Sequence, residues 1–444
     1  MKINKKYLIG FVALISVLIV IPFFIPMRTY LDQVERMASE QVGAPVTIAS
    51  GRLMLIPTPR IVAKEILVGN AQELKLEELT VIPALGSLLS NTKIIEIKII
   101  RPIIKKAALD ILATLSKNNA EASPANAVVN VKRITIDQMQ LDFPDKTLPA
   151  FNVELYLTSA NALESLKLNT VDGVLKADVT PKEEGHLILI HAEKWTSPVG
   201  LPLMIDKASL EMYLKGSQLA IPKIDLALYN GSLTGHAVLS WAKGWRTSGK
   251  LQVNRLSVIE PSRMASKSVY LSGNLSGNGG FSASAKDAAA LTDNLTSDFK
   301  FNVKNGVLHG LDLVKLASLL TKQNSGGDTQ FDEFSGVFNA KGKLYTLRDI
   351  NMRSGLLVAT GQVKVKPNKT LDGVVEVELK KGVSLAAIPL QVSGTVAKPS
   401  VFPTKSAMAG AVAGTAILGP GVGTTLGIKA AGAVDKIKGL FQSD

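Results

Sequence analysis

Phe299-Lys300-Phe301-Asn302-Val303-Lys304 alternates apolar and polar side chains without a break. Successive side chains of an extended chain point to opposite faces, so this stretch reads as a half-buried strand. Phe299, Phe301 and Val303 line its oily face, and Lys300, Asn302 and Lys304 meet water. The same period governs Val363 and Val365, which alternate with Gln362, Lys364 and Lys366. It returns in Val375, Val377 and Leu379, which alternate with Glu376, Glu378 and Lys380. Pro367-Asn368-Lys369-Thr370-Leu371-Asp372-Gly373 between them is turn chemistry and predicts an antiparallel pair.

Working outward, similar strands are expected at Ile61–Val68, Ile94–Ile100, Val128–Phe143, Val153–Leu157, Leu187–Ile190 and Leu219–Leu239. Helical patterns are few: Tyr30–Val42, ended by Gly43 and Pro45, then Ala107–Leu115, Asp287–Leu295 and Leu311–Leu320. So few short helices cannot cover the oily faces of so many strands. Those faces must pack on one another, as in a sandwich, or be covered by something else. Ser116–Ala127 is a polar, low-complexity linker.

Composition narrows the function. Of 444 residues 46% are hydrophobic but only 5% aromatic, so the core is built from Leu, Ile, Val and Ala. The formal net charge is +13, spread along the chain with no run of five basic residues, which argues against a nucleic-acid partner. The surplus serves solubility or weak attraction to anionic lipid. The absence of cysteine excludes disulfides and thiolate metal sites.

Between Lys6 and Arg28 lie 21 residues without a charge. At about 1.5 Å per residue they span roughly 30 Å, the thickness of a hydrocarbon core. The run ends in bulky residues with no small-x-small cleavage site, so a retained transmembrane anchor is expected within Tyr7–Met27, presenting Leu8, Phe11, Leu14, Leu18, Ile21 and Phe24 to lipid. Lys2, Lys5 and Lys6 precede it, which keeps the N-terminus cytoplasmic and places the bulk of the chain outside. At the other end Ser406–Ile428 is uncharged and rich in Gly, Ala and Thr. A flexible or interfacial segment is the favoured reading, a second membrane insertion the other. Lys429–Phe441 then reads as a basic amphipathic helix suited to a membrane surface.

The motifs offer no enzyme. Gly244-Trp-Arg-Thr-Ser-Gly249-Lys250 fits a phosphate loop until Leu251, where Ser or Thr should hold magnesium, and reads as a turn. The glycines of Gly273–Gly280 also read as turns. His186, His191, His236 and His309 have no carboxylate-rich neighbours in sequence, so neither metal nor cofactor is expected.

Several segments together resemble the AsmA family of Gram-negative envelope proteins. They are Tyr30-Leu31 after the apolar run, Gly43–Ile48, and Pro57-Thr58-Pro59 before a strand. Ile221-Pro222-Lys223-Ile224 leads into Leu228-Tyr229-Asn230-Gly231-Ser232-Leu233-Thr234-Gly235, similar to the family's strand–turn–strand unit. The strongest likeness is Val303–Leu313, containing Asn305, Gly306, Gly310 and Asp312, followed by Phe331–Gly336 and Ser393–Pro399. Pro124–Pro202 matches only in pattern, and Thr360-Gly361-Gln362 stands where relatives often carry two glycines separated by one residue.

The resemblance implies a mostly β protein of the inner membrane. After one transmembrane helix, an elongated, curved antiparallel β-sheet would form a periplasmic groove with an apolar interior. Together with the anchor, linker and tail read above, it divides the chain into 1–27 (cytoplasmic stub and anchor), 28–115 (N-terminal β segment with entry helix), 116–127 (linker), 128–403 (β-groove) and 404–444 (apolar tail and amphipathic helix). The expected partners are the inner-membrane bilayer, phospholipid ligands and envelope proteins. Phospholipid would pass toward the outer membrane along Phe299, Phe301, Val303, Val363, Val365, Val375, Val377 and Leu379, without covalent chemistry. The alternative is a scaffold that influences insertion of outer-membrane proteins by strand addition at sheet edges.

Overall fold

A computed structural model describes residues 27–87, 90–108, 111, 129–143, 146–197, 202–318, 326–380 and 387–418. The protein is mostly β, and the chain divides into two compact units, Met1–Pro202 and Leu203–Asp444. The anchor expected at Tyr7–Met27 lies outside the described residues except for Met27, as does the amphipathic helix expected at Lys429–Phe441. Among the described residues no helix is long and apolar enough to cross a membrane.

The first unit opens with α1 (Met27–Val42), which stops where Gly43 takes a positive φ of 71° and donates its N–H to Ser39 O. The strands that follow are β1 (Val46–Met54), β2 (Arg60–Val68), β3 (Leu74–Pro83), β4 (Lys93–Ile100) and β5 (Ile103–Lys105). Next come β6 (Val129–Phe143), β7 (Lys146–Thr147), β8 (Phe151–Leu157), β9 (Leu163–Thr170), β10 (Leu175–Lys182) and β11 (Gly185–Thr196). Their pairing is antiparallel with one exception. Strands β4 and β5, two pieces separated at Arg101-Pro102, both run parallel to β6. An all-antiparallel sheet was expected; the parallel step arises because the chain leaves β5 and re-enters at the opposite end, a connection that needs a dozen or more residues. The stretch read as a linker, 116–127, belongs to this connection and lies outside the described residues.

The second unit contains β12 (Met204–Lys215), β13 (Gln218–Leu228), β14 (Gly231–Ser240), β15 (Trp245–Ser257), β16 (Tyr270–Ala285) and β17 (Thr296–His309). It continues with β18 (Asp328–Lys341), β19 (Leu344–Arg353), β20 (Leu357–Val365), β21 (Leu371–Leu379), β22 (Ile388–Thr395) and β23 (Lys398–Pro403). Each strand pairs antiparallel with the next. Leu219–Leu239, expected as strand with a strand–turn–strand likeness at Leu228–Gly235, is two strands, because Tyr229 and Asn230 take φ of 48° and 60° and close a hairpin. Gly273–Gly280, read as turns, lies inside β16. The helices are α2 (Ile259–Ala265), α3 (Leu313–Ala317) and α4 (Lys405–Leu418). Asp287–Leu295, expected as a helix, forms two 3-10 turns.

Two buried clusters form. One joins Leu31 of α1 to Val46, Ile48, Ala63, Ile66 and Val68. The other lies in the second unit, where α3 rests against β18, β21, β22 and β23. A five-residue helix touches both β18 and β23 only if the sheet between them rolls around it. Ser266 and Ser268 close the roll by donating from Oγ to Ala397 O at 3.1 and 3.2 Å. The first turns of α4 seal the same end, with Ala407 and Ala411 buried. Of Ser406–Ile428, expected as a flexible or interfacial segment or a second membrane insertion, residues 406–418 form this helix, with Ala411 in the buried cluster of the second unit, and 419–428 lie outside the described residues.

Candidate apolar face

Residues directly opposite one another in neighbouring strands share a face of the sheet. In the first unit Val81, Ile97, Ile134, Leu155, Leu166, Val179 and Ile188 form one such row. A second row runs Leu79, Ile99, Ile136, Val153, Leu168, Ala177 and Ile190. Between them, on the other face, lie Thr80, Lys98, Thr135, Glu154, Lys167 and Asp178. Within the strands β4–β11 themselves only Val153 and Ala192 among the described hydrophobic side chains are buried. The apolar rows are continuous, and nearly every side chain in them is only half-buried. The separate strands were legible from their alternation, but this face was missed because no single strand discloses its register with the next.

In the second unit a row crosses from Leu210 through Ile224, Gly235, Leu251, Gly279, Phe299, Phe338, Leu347 and Val363 to Gly373. The eight expected lining residues all fall on this face, but they divide. Val303 and Val377, at 2% and 0% exposure, are core beneath the rolled end. Phe299, Phe301, Val363, Val365, Val375 and Leu379 are half-buried. Glycines flatten the open part. A Cβ on Gly277 would stand 2.7 Å from the Phe299 ring, and one on Gly336 would stand 3.0 Å from that of Phe301. Each ring therefore lies across a neighbouring strand where a side chain would otherwise rise. Phe301 and Phe334 meet edge to face at 5.3 Å.

The glycine and asparagine motifs build the rolled end and the hairpins. Gly231 opens β14 with the Leu256 backbone 2.5 Å from where its Cβ would be, and Gly235 lies opposite Leu251. Asn305 (φ 51°) marks an irregularity in β17, with the Phe331 ring filling the space beside Gly306. Gly310 (φ 77°) turns the chain, and Asp312 caps α3 by accepting from Lys315 N at 3.0 Å. Thr329, buried, accepts from Leu313 N at 2.9 Å and donates to Leu311 O at 2.7 Å.

On the polar face His309 bridges Ser272 Oγ, 3.0 Å from Nε2, and Asp328 Oδ2, 3.0 Å from Nδ1. This has the connectivity of a nucleophile, base and orienting acid. Here each member is also tied to local structure. Ser272 Oγ donates to Val307 O at 3.4 Å, Asp328 Oδ1 accepts from Gly310 N at 3.0 Å, and Tyr270 stacks on the imidazole. The three act as a clasp holding the turn before α3. Among the described residues no group of three or more His, Asp or Glu could hold a metal ion.

The AsmA family pattern matches residues 113–350, a span that holds most of the half-exposed rows of the first unit and β12–β18 of the second. It includes 124–202, where the resemblance by motif was thinnest. No curated protein matches the chain. With more than half its length matched, and with one-faced strands and a capped α3 where the motifs fall, the chain belongs to the AsmA family.

Proposed function

We propose that this protein is a non-enzymatic component of envelope biogenesis, held in the inner membrane by Tyr7–Met27. Its periplasmic β-sheet would guide the acyl chains of phospholipid toward the outer membrane. One observation carries the reading: the apolar rows across β4, β6, β8, β9, β10 and β11 are continuous yet half-exposed. Water contact on such a surface is costly, and each buried methylene of a ligand returns about 0.8 kcal/mol. A lining of near-equivalent Ile, Leu and Val side chains has no deep single site, so chains can slide. Family membership supports the envelope role.

The strand-addition alternative has less to work with. On β1, Val46 N and Ile48 N donate to Ser39 Oγ and Glu35 Oε1 of α1, and β23 carries Pro399 and Pro403. Both features blunt an edge. Photo-crosslinkers placed in cells at Ile134, Leu155, Phe301 and Val363 are expected to capture phospholipid, and one at Val377 is expected to capture none. If no open position yields a lipid adduct, the conduit fails. Native mass spectrometry separates the alternative: a lipid-free mass with tight binding to an unfolded outer-membrane protein would favour the scaffold.

A further inference from the structure

Helix α1 is held to its sheet by one side only. Leu31 packs over Gly51, where a Cβ would stand 2.8 Å from Leu31 Cδ2. Glu35 Oε1 accepts from Ile48 N at 2.6 Å and Ser39 Oγ from Val46 N at 2.9 Å. Another side is apolar and bare: Tyr30, Val34 and Met37 are 58%, 49% and 56% exposed. With Met27 they repeat at intervals of three, four and three residues. At 3.6 residues per turn these four occupy an arc of about 80°, roughly a quarter turn from the Leu31 side.

We propose that this seam pairs with the same seam of a second copy of the chain, as a short parallel two-stranded coiled coil. The three-four-three spacing is that of a and d positions, and it is self-complementary across a two-fold axis. The seam carries no charge, so two copies meet without like-charge repulsion. The borders of the stripe decide against an anionic lipid surface as its occupant. Gln33 and Glu40 flank its free border and Gln41 continues the stripe at the next position of the series, while Arg28 and Arg36 lie on the far side and Arg28 pairs with Asp32 at 3.2 Å. A helix lying on anionic lipid carries its cations beside the apolar stripe.

The chain has no cysteine, so an introduced thiol is its only one. Full-length single variants Tyr30→Cys, Val34→Cys and Met37→Cys, oxidised mildly in membranes of the expressing cell, test the seam against Asp32→Cys and Arg36→Cys on the opposite side. All five positions are exposed, so the fold is not at stake. Disulfide dimers at the seam at least tenfold above the controls are expected. Equal yields on both sides, or no dimer at the seam, overturn the proposal. So does a lipid-like fluorescence shift of an environment-sensitive thiol probe at Val34→Cys without dimer formation.

Discussion

At the scale of single residues, Asp328 shows how polar groups pin an oily sheet. The N–H of Gly310, and after it the His309 imidazole, hold its carboxyl below the usual range. A carboxyl depressed by folding adds stability that is present above its unfolded value of about 3.9 and is lost as pH falls through the folded value. Asp328→Asn is therefore expected to lower the melting temperature at pH 7. The gap to the parent should narrow below about pH 4, where both side chains are neutral. Melting curves from pH 3 to 7 check this, and a gap independent of pH would refute it. Glycines were the hardest residues to read. Gly277 and Gly279 look like turn residues in sequence, yet they sit inside β16 because Phe299 occupies the space above them. That requirement comes from the neighbouring strand, so no local pattern reveals it.

At the scale of elements, β17 and β21 were legible from alternation alone, since a period of two leaves one oily face. What covers that face was not legible. A helix was expected over Leu311–Leu320 and α3 lies within it, but its sequence does not say which strands it covers, and that cover decides that Val303 and Val377 are core while Phe299 and Val363 stay half-exposed. The difference has an energetic signature. Leu357→Ala, at a side chain with 0% exposure, is expected to cost about 2–5 kcal/mol in urea unfolding. Val363→Ala, on the open part, is expected to cost under about 1 kcal/mol. Equal losses at the two sites would mean that the open part is packed as tightly as the rolled end.

For the whole molecule, the prediction concerns the continuity of the rows. Ile134→Asp with Leu166→Lys places a charge in the apolar row of the first unit at two strands, without touching either buried cluster. Phospholipid co-purifying with the full chain is expected to fall about tenfold, while the melting temperature shifts by only a few degrees. At half-exposed sites the new charges stay solvated in the protein but exclude an acyl chain. Unchanged lipid content would count against transport along this face.

The sequence by itself determined that the chain is mostly β, that its strands are one-faced, and that few helices exist to cover them. Each of these is a short-range pattern of side-chain polarity. It also carried the AsmA likeness through turn residues such as Asn230, Gly310 and Asp312. Only the tertiary structure decided that β4 and β6 run parallel, that the rows of the first unit line up, and that α3 closes one end of the second. Register and cover depend on pairings between residues far apart in the chain, and alternation within one strand does not encode its partner.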